Sequence, residues 1–494
     1  ENPDTENHNL AMGYEALGGA VAGGEYNVAI GNYTLDALTS ADKVTAIGYG
    51  AGGGLTTGGL NTFIGHVAAG NGTVTGVNNN AVGQAALYAL AGGGYNQAFG
   101  VSALQSCTGG DYNIAIGNAA LFTQDTEQHN LGIGHGALEV VNSGGESNVA
   151  IGNYSLDALT SADACTAVGY QSGSAITTGA NNVLMGYNVG ASITTGYDNT
   201  FFGHQAGDGF DTEANNLGIG RDALGGAVAG GEFNIAIGNY TLDALTSADR
   251  NTAIGYEAAS AVTTGSNNTV VGQSAAFHLT TGIGNTIVGR LAAENLDSGE
   301  NNTLIGRDAG SSYVGSGSSC TIVGFGSRPH SSADNEDNTT IFGSGITSGQ
   351  GNEVHIGNTS VTAIKGQVSF GTYSDERIKK DIVDTDLGLD FVNKLKPRKF
   401  KRRDPAEYAD IFEDSNKEPI KEKEKDNIFD GLIAQEVEAV CKELGVSFSG
   451  HQVAYSSKQS IQYETLTIPL IKAVQELSAT VTTLQQELKT IKGE

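Results

Sequence analysis

The stretch "NTAIGYEAASAVTTGSNNTVVG", residues 251–272, decides the fold. It holds one motif twice, Asn-x-apolar-apolar-Gly, at 251–255 and again at 268–272. Outward in both directions the motif keeps returning: NVAIG at 27–31, NTFIG at 61–65, NIAIG at 113–117 and NTLIG at 302–306. Its closing glycines run from Gly13 to Gly357 in twenty-one copies, spaced 17 or 18 residues up to Gly324 and then 19 and 14. The residue before the glycine is Ile, Val, Phe or Met in every copy. Self-similarity at a fixed period marks a repeat architecture, and gaps of 17 or 18 residues are too short for helix pairs. Each copy therefore reads as one coil of a parallel β-solenoid: strand, tight turn, short strand, loop.

The rest of each coil fits that reading. A small or apolar pair follows the glycine, as in Ala86-Leu87, Ala120-Leu121 and Ala275-Ala276. Corners such as Thr177-Thr178-Gly179 and Thr263-Thr264-Gly265 come next, where glycine accepts the positive φ of a sharp turn. With strands stacked ~4.8 Å apart, the coils predict a rod on the order of 100 Å. Adjacent strand residues point to opposite faces, yet both are apolar in Phe63-Ile64, Phe201-Phe202, Val270-Val271 and Ile322-Val323. A strand apolar on both faces is buried on both. One face fills the coil; the other predicts cover from partner chains in an intertwined or bundled oligomer.

Several positions have a plain structural reading. The aligned Asn residues predict amide ladders between coils, with calcium or glycan binding at the corner Asn and Asp as the alternative. Cys165 and Cys320 take the Asn slot nine coils apart, too far to pair within a chain. The four cysteines lack metal-ligand spacing and read as unpaired structural thiols, so neither metal nor cofactor is expected. "NYTLDALTSAD" at 32–42 returns at 239–249, and with one change at 153–163, placing Asp36, Asp157 and Asp243 in like settings. Polysaccharide cleavage would need paired carboxylates at fixed spacing. These three lie in widely separated coils, so the shaft is not expected to be an enzyme.

Composition divides the chain at "FGTYSDERIKKDIVD", residues 370–384. Residues 1–373 hold 7 Lys and Arg against 31 Asp and Glu, and residues 374–494 hold 19 against 23. So acidic a body repels nucleic acid and anionic membrane. No apolar run approaches the ~20 residues that span a bilayer. Past the seam, "SDERIKKDIVD" has the N-cap and charge order of a capped helix, and "LGLDFVNKLKPRKFKRR" continues as an amphipathic helix ended by Pro397. "FDGLIAQEVEAVCKEL" reads as a strand entering a helix, after a charged loop at 404–427. The last stretch, about 463–492, keeps an apolar heptad. Val474, Val481 and Leu488 stand at a; Leu470, Leu477, Leu484 and Ile491 stand at d. That pattern predicts a short coiled coil.

Two resemblances follow. The repeats, over about residues 9–357, resemble the head repeats of trimeric autotransporter adhesins and the shaft repeats of phage fibres, β-rolls shared among three chains. "SDERIKKDI", "GLIAQEVE" and the terminal heptads, in this order, resemble the C-terminal intramolecular chaperone of the endosialidase tailspike type. That resemblance implies a homotrimeric phage fibre or spike protein, outside the cell when mature, with other virion proteins and a host-surface receptor of saccharide type as partners. It implies a shaft over 1–357, a connector over 358–373, and a chaperone domain over 374–494 that templates the trimer. It also implies a single self-cleavage between Tyr373 and Ser374 by a Ser374–Lys379 dyad. A lysine is a base only when neutral, through burial or a nearby cation. Arg377 and Lys380 could help, and Asp381 opposes them. In an unbroken helix residues five apart lie about 140° around the axis, so the dyad requires Ser374 to sit off the helix. The rival reading is an uncleaved trimeric adhesin that binds host glycan through its solenoid.

Overall fold

The computed structural model describes residues 8–19, 21–141, 144–311, 316–329, 337–348, 351–358, 360–361, 363–365, 374, 376–403, 426–453 and 459–493. The chain divides into two compact units, Glu1–Ser319 and Cys320–Glu494. The first unit holds eighteen three-residue strands, from β1 (Leu10–Met12) to β18 (Thr303–Ile305). From β1 to β17 each lies parallel and in register with the strand one coil on, as in Ala46 opposite Phe63 and Ala253 opposite Val270. The second unit opens with three more, β19 (Thr321–Val323), β20 (Thr340–Phe342) and β21 (Val354–Ile356), paired the same way. The fold is mainly β, a parallel solenoid as the period implies, with one strand per turn.

The strand sequence explains its two faces. Its middle residue points into the coil, and Ala29, Phe63, Ala115, Phe201 and Ile287 are all fully buried. Leu35, Leu87, Leu104 and Leu121 fill the same interior, each worth roughly 1.5–3 kcal/mol when fully buried. The residue before the glycine points outward. In the single chain Phe99, Met185 and Phe342 stay 40–45% exposed. The doubly apolar strand thus buries one face within its own coil and leaves the other as an open apolar stripe.

The short second strand expected after the turn is replaced by a run of turns. The second and fourth residues past the repeat glycine are left-handed: Ala85 (φ 57°) and Leu87 (φ 49°), Ala119 (φ 56°) and Leu121 (φ 52°). Left-handed geometry costs a side-chain-bearing residue about 1–2 kcal/mol. Hydrogen bonding between coils offsets it. The Ala85 amide donates to the His66 carbonyl at 3.0 Å, and the Leu87 amide to the Ala103 carbonyl at 3.0 Å. One bond reaches the coil before and the other the coil after, so the segment holds the stack on both sides.

The repeat glycine has no substitute. Gly117 sits at φ 140°, and a Cβ there would collide with the carbonyl oxygen of Gly134 in the next coil. Gly117→Ala is expected to cost on the order of 3 kcal/mol or more from backbone strain and clash. A lowered thermal midpoint of the purified shaft would register the loss.

The Asn ladder forms, largely between side chain and backbone. Asn79 receives nothing from solvent: its amide donates to Asn61 Oδ1 at 2.7 Å, and its Nδ2 donates to the Gly93 carbonyl at 2.9 Å. In later coils the amides also meet directly, Asn285 Nδ2 to Asn268 Oδ1 at 3.0 Å. Cys165 stands in the same slot. Its amide donates to Asn148 Oδ1 at 2.9 Å and its thiol to the Gly179 carbonyl at 3.2 Å. Burial pushes that thiol up to about 11, and no disulfide forms among the four cysteines.

The three recurrent aspartates are less isolated than their spacing suggests. Asp36 feels the charge of Glu15 in the preceding coil, Asp157 that of Glu139, and Asp243 those of Asp222 and Glu257 on either side. Burial, then these neighbours, raises all three, Asp157 and Asp243 to about 6. A carboxyl held above its unfolded value of ~3.9 favours the folded state below that value and loses this contribution as pH rises through about 6. The thermal midpoint of the shaft should therefore rise on acidification from pH 7.5 to pH 5. Asp157→Asn with Asp243→Asn should flatten that rise, and an unchanged slope would contradict the assignment.

Candidate active site at the seam

The C-terminal part of the second unit is a small α+β assembly. A 3-10 turn at Glu376–Ile378 precedes α1 (Leu389–Lys394), and a hairpin pairs β22 (Arg398–Phe400) with β23 (Phe429–Gly431). Next come α2 (Ala434–Leu444) and a second hairpin of β24 (His451–Val453) and β25 (Gln459–Ile461). Helix α3 (Thr467–Lys492) follows. Leu387, Phe391, Val437, Val440 and Phe448 form the core, with the rings of Phe391 and Phe448 5.5 Å apart. Across the α1–α2 surface Arg398 grips Glu436 with two bonds of 2.6 and 3.0 Å, and Lys394 meets Glu443 at 2.6 Å. Helix α1 ends at Lys394, three residues ahead of Pro397, as a residue preceding proline disfavours helix.

The capped helix expected over "SDERIKKDIVD" is corrected to that single 3-10 turn. This removes the geometric objection to the dyad. With no α-helix between them, Lys379 Nζ lies 2.7 Å from Ser374 Oγ and donates a hydrogen bond to it. Both side chains are exposed in the single chain. A solvated ammonium donates to the hydroxyl; taking its proton requires the cover or neighbouring cation that neutralises an amine. Tyr373, the expected residue on the other side of the cut, lies outside the described residues, as does most of the loop at 404–427.

The heptad falls on a real helix, and its seven core positions line one open strip. Leu470, Val474, Leu477, Val481, Leu484, Leu488 and Ile491 are all exposed, Val474 by 64%. A different face of the same helix packs inward through Pro469 and Ala473. The helix thus serves its own domain on one side and offers an apolar seam on another.

Two residues that matter here were invisible from spacing. Helix α1 begins after Gly388, which has no side chain to cap it. Glu476, from α3, supplies the cap, its Oε2 accepting the Leu389 amide at 2.7 Å across 87 residues. Tyr463 similarly accepts the Leu432 amide on its hydroxyl at 2.7 Å, tying the approach of α3 to the strand–helix junction. The uncapped start at Gly388 was the available signal that a distant acceptor was needed.

No group of His, Cys, Asp or Glu among the described residues has metal-site geometry, and no described helix is long and apolar enough to cross a membrane. Residues 374–446 match the profile of the family described as chaperone of endosialidase, and the match starts on Ser374 itself. No curated protein matches the chain. A parallel β-solenoid followed by a segment that matches the chaperone-of-endosialidase family supports a tail-fibre-type protein with a C-terminal chaperone domain.

Proposed function

We propose that three copies of this chain form a fibre or spike whose last domain assembles it and then detaches itself. The family implies a trimeric assembly, a serine-peptidase-type self-cleaving domain and a place on a phage tail fibre; the specific residues and sequence of events are our reading. The division proposed is a lasting shaft over 1–357, a connector over 358–373 and a removable domain over 374–494. Two open apolar surfaces support the trimer: the strip along α3 and the outward residues of the solenoid strands. In-register pairing of long-range parallel strands is slow and prone to slip. A C-terminal clamp that fixes the register before the stack zips would remedy both.

The observation carrying the cleavage is the 2.7 Å approach of Lys379 Nζ to Ser374 Oγ. In the proposed step Ser374 Oγ adds to the carbonyl carbon of Tyr373 as its proton passes to neutral Lys379. The bond to the Ser374 nitrogen breaks as that nitrogen takes a proton, leaving an ester on Oγ. Water then hydrolyses the ester, freeing the Tyr373 carboxylate and restoring the hydroxyl. Exposure of the pair in one chain fits a reaction that waits for assembly to cover it. Loss of the folding aid then makes the shaft kinetically hard to unfold and reform. N-terminal sequencing of the released fragment tests the site: the expected read begins Ser-Asp-Glu-Arg, and any other start contradicts the assignment.

A further inference from the structure

Glu376, Arg377, Lys379 and Lys380 are good helix formers, and the stretch from Ser374 has the charge order of a capped helix. The backbone nevertheless makes one 3-10 turn, Glu376–Ile378. The Lys379 amide donates to the Glu376 carbonyl at 3.0 Å, so the turn closes on the lysine itself. Two residues on, Asp381 is left-handed, at φ 56°. Past Gly357 it is the only described residue other than glycine with a positive φ. Helices commonly end on a left-handed residue, and from Asp381 the chain reaches α1 at Leu389 without forming another helix or strand. In the shaft, left-handed Ala85 and Leu87 are held by hydrogen bonds to the coils on either side. Among the described residues no backbone hydrogen bond holds Asp381 in this way. Its side chain is exposed, and Ile382 and Val383 after it are 65% and 86% exposed. With no contact to impose the geometry, the residue type must favour it, and aspartate is one of the few side-chain-bearing residues that visit the left-handed region readily.

We propose that Asp381 is a positioning residue for self-cleavage: its left-handed backbone stops the helix that would otherwise carry Lys379 away from Ser374. The proposal rests on the Ser374–Lys379 reading and adds to it a residue outside the dyad. In an unbroken helix, residues five apart lie about 140° around the axis. With the helix stopped after one turn, Lys379 Nζ stands 2.7 Å from Ser374 Oγ. The charge of Asp381 does not account for its place here. A carboxylate is the wrong charge to set near a base that must be neutral, so its benefit to the site is conformational rather than electrostatic. Alanine at 381 would favour the helix and resist the left-handed region. Valine would disfavour both, and glycine or asparagine would preserve the stop.

The test makes the full chain by cell-free synthesis and follows release of residues 374–494 with time on a denaturing gel. Asp381→Gly and Asp381→Asn should release the fragment within about threefold of the wild-type rate, because both residues accept left-handed geometry. Asp381→Ala and Asp381→Val should be slower by roughly tenfold or more, since the left-handed region is costly for both. Native mass should be the same in all four variants, as the side chain is exposed and lies outside the α1–α2 core. Equal rates in the glycine and alanine variants would overturn the proposal. Asparagine and glycine variants both as slow as alanine would overturn it too, because the carboxylate rather than the backbone would then be what the site needs. So would an alanine variant of altered native mass, which would place Asp381 in assembly. A wild-type chain that releases nothing would overturn the dyad and this proposal together. Wild-type release that Ser374→Ala abolishes, with no contrast between glycine and alanine at 381, would overturn this proposal alone.

Discussion

A Ser374→Ala chain is expected to remain whole, with no fragment of residues 374–494 on a denaturing gel at any time. Removing such a nucleophile or its base costs roughly 10⁴- to 10⁶-fold in rate, enough to leave no visible product over days. Lys379→Ala should match it, because the 2.7 Å bond to Ser374 Oγ is the lysine's only described contact with the reacting group. Lys379→Arg separates two roles. Arginine keeps the charge and can donate to the hydroxyl, but it does not give up its proton. If lysine is the base, Lys379→Arg is dead; if its charge alone matters, cleavage survives. Uncleaved variants should still assemble, since neither residue lies in the α1–α2 core or on the α3 strip.

Leu477→Asp with Leu484→Asp should produce the opposite failure. Both side chains lie on the open strip of α3, half or more exposed, beside rather than within the contacts that Pro469 and Ala473 make inward. Each leucine buried in a coiled-coil core is worth roughly 1.5–3 kcal/mol per chain, and an aspartate there also places like charges together. The expected product is monomeric or aggregated and shows no fragment, although Ser374 and Lys379 are intact. Release of the fragment from a monomeric double variant would separate cleavage from assembly and refute the coupling. The domain itself should remain folded, which far-ultraviolet circular dichroism of the variant can check.

The pH behaviour of the two regions should differ in sign. Glu436 and Glu443 are held low by hydrogen bonds from Arg398 and Lys394. Such groups favour the fold above their unfolded values and lose that contribution as pH falls through the folded ones. Acid should therefore weaken the C-terminal assembly only as pH falls below the ordinary glutamate value of ~4.3, beneath the window around pH 6 in which it firms the Asp157 and Asp243 sites of the shaft.

The coil period, the strand with two apolar faces and the Asn ladder were legible because each depends on residues a fixed distance apart. The second half of each coil was not. Ala85 and Leu87 have ordinary helix- or strand-forming side chains, and only hydrogen bonds to coils on either side hold them left-handed. The seam misled in a similar way. Ser374 and the charges after it carry the signals of a helix start, yet the backbone makes one 3-10 turn and Lys379 reaches back through its long side chain. Glu476 lay beyond any local reading, since its partner Leu389 is 87 residues away. Contacts between aromatic rings of neighbouring coils needed the stack itself, because the coil places Tyr154 beside Tyr170.

The most direct measurement is the native mass of the purified product. The account predicts three copies of residues 1–373, each ending at Tyr373, with residues 374–494 detached. A stable monomer, or a trimer of uncut chains formed under folding conditions, would contradict it.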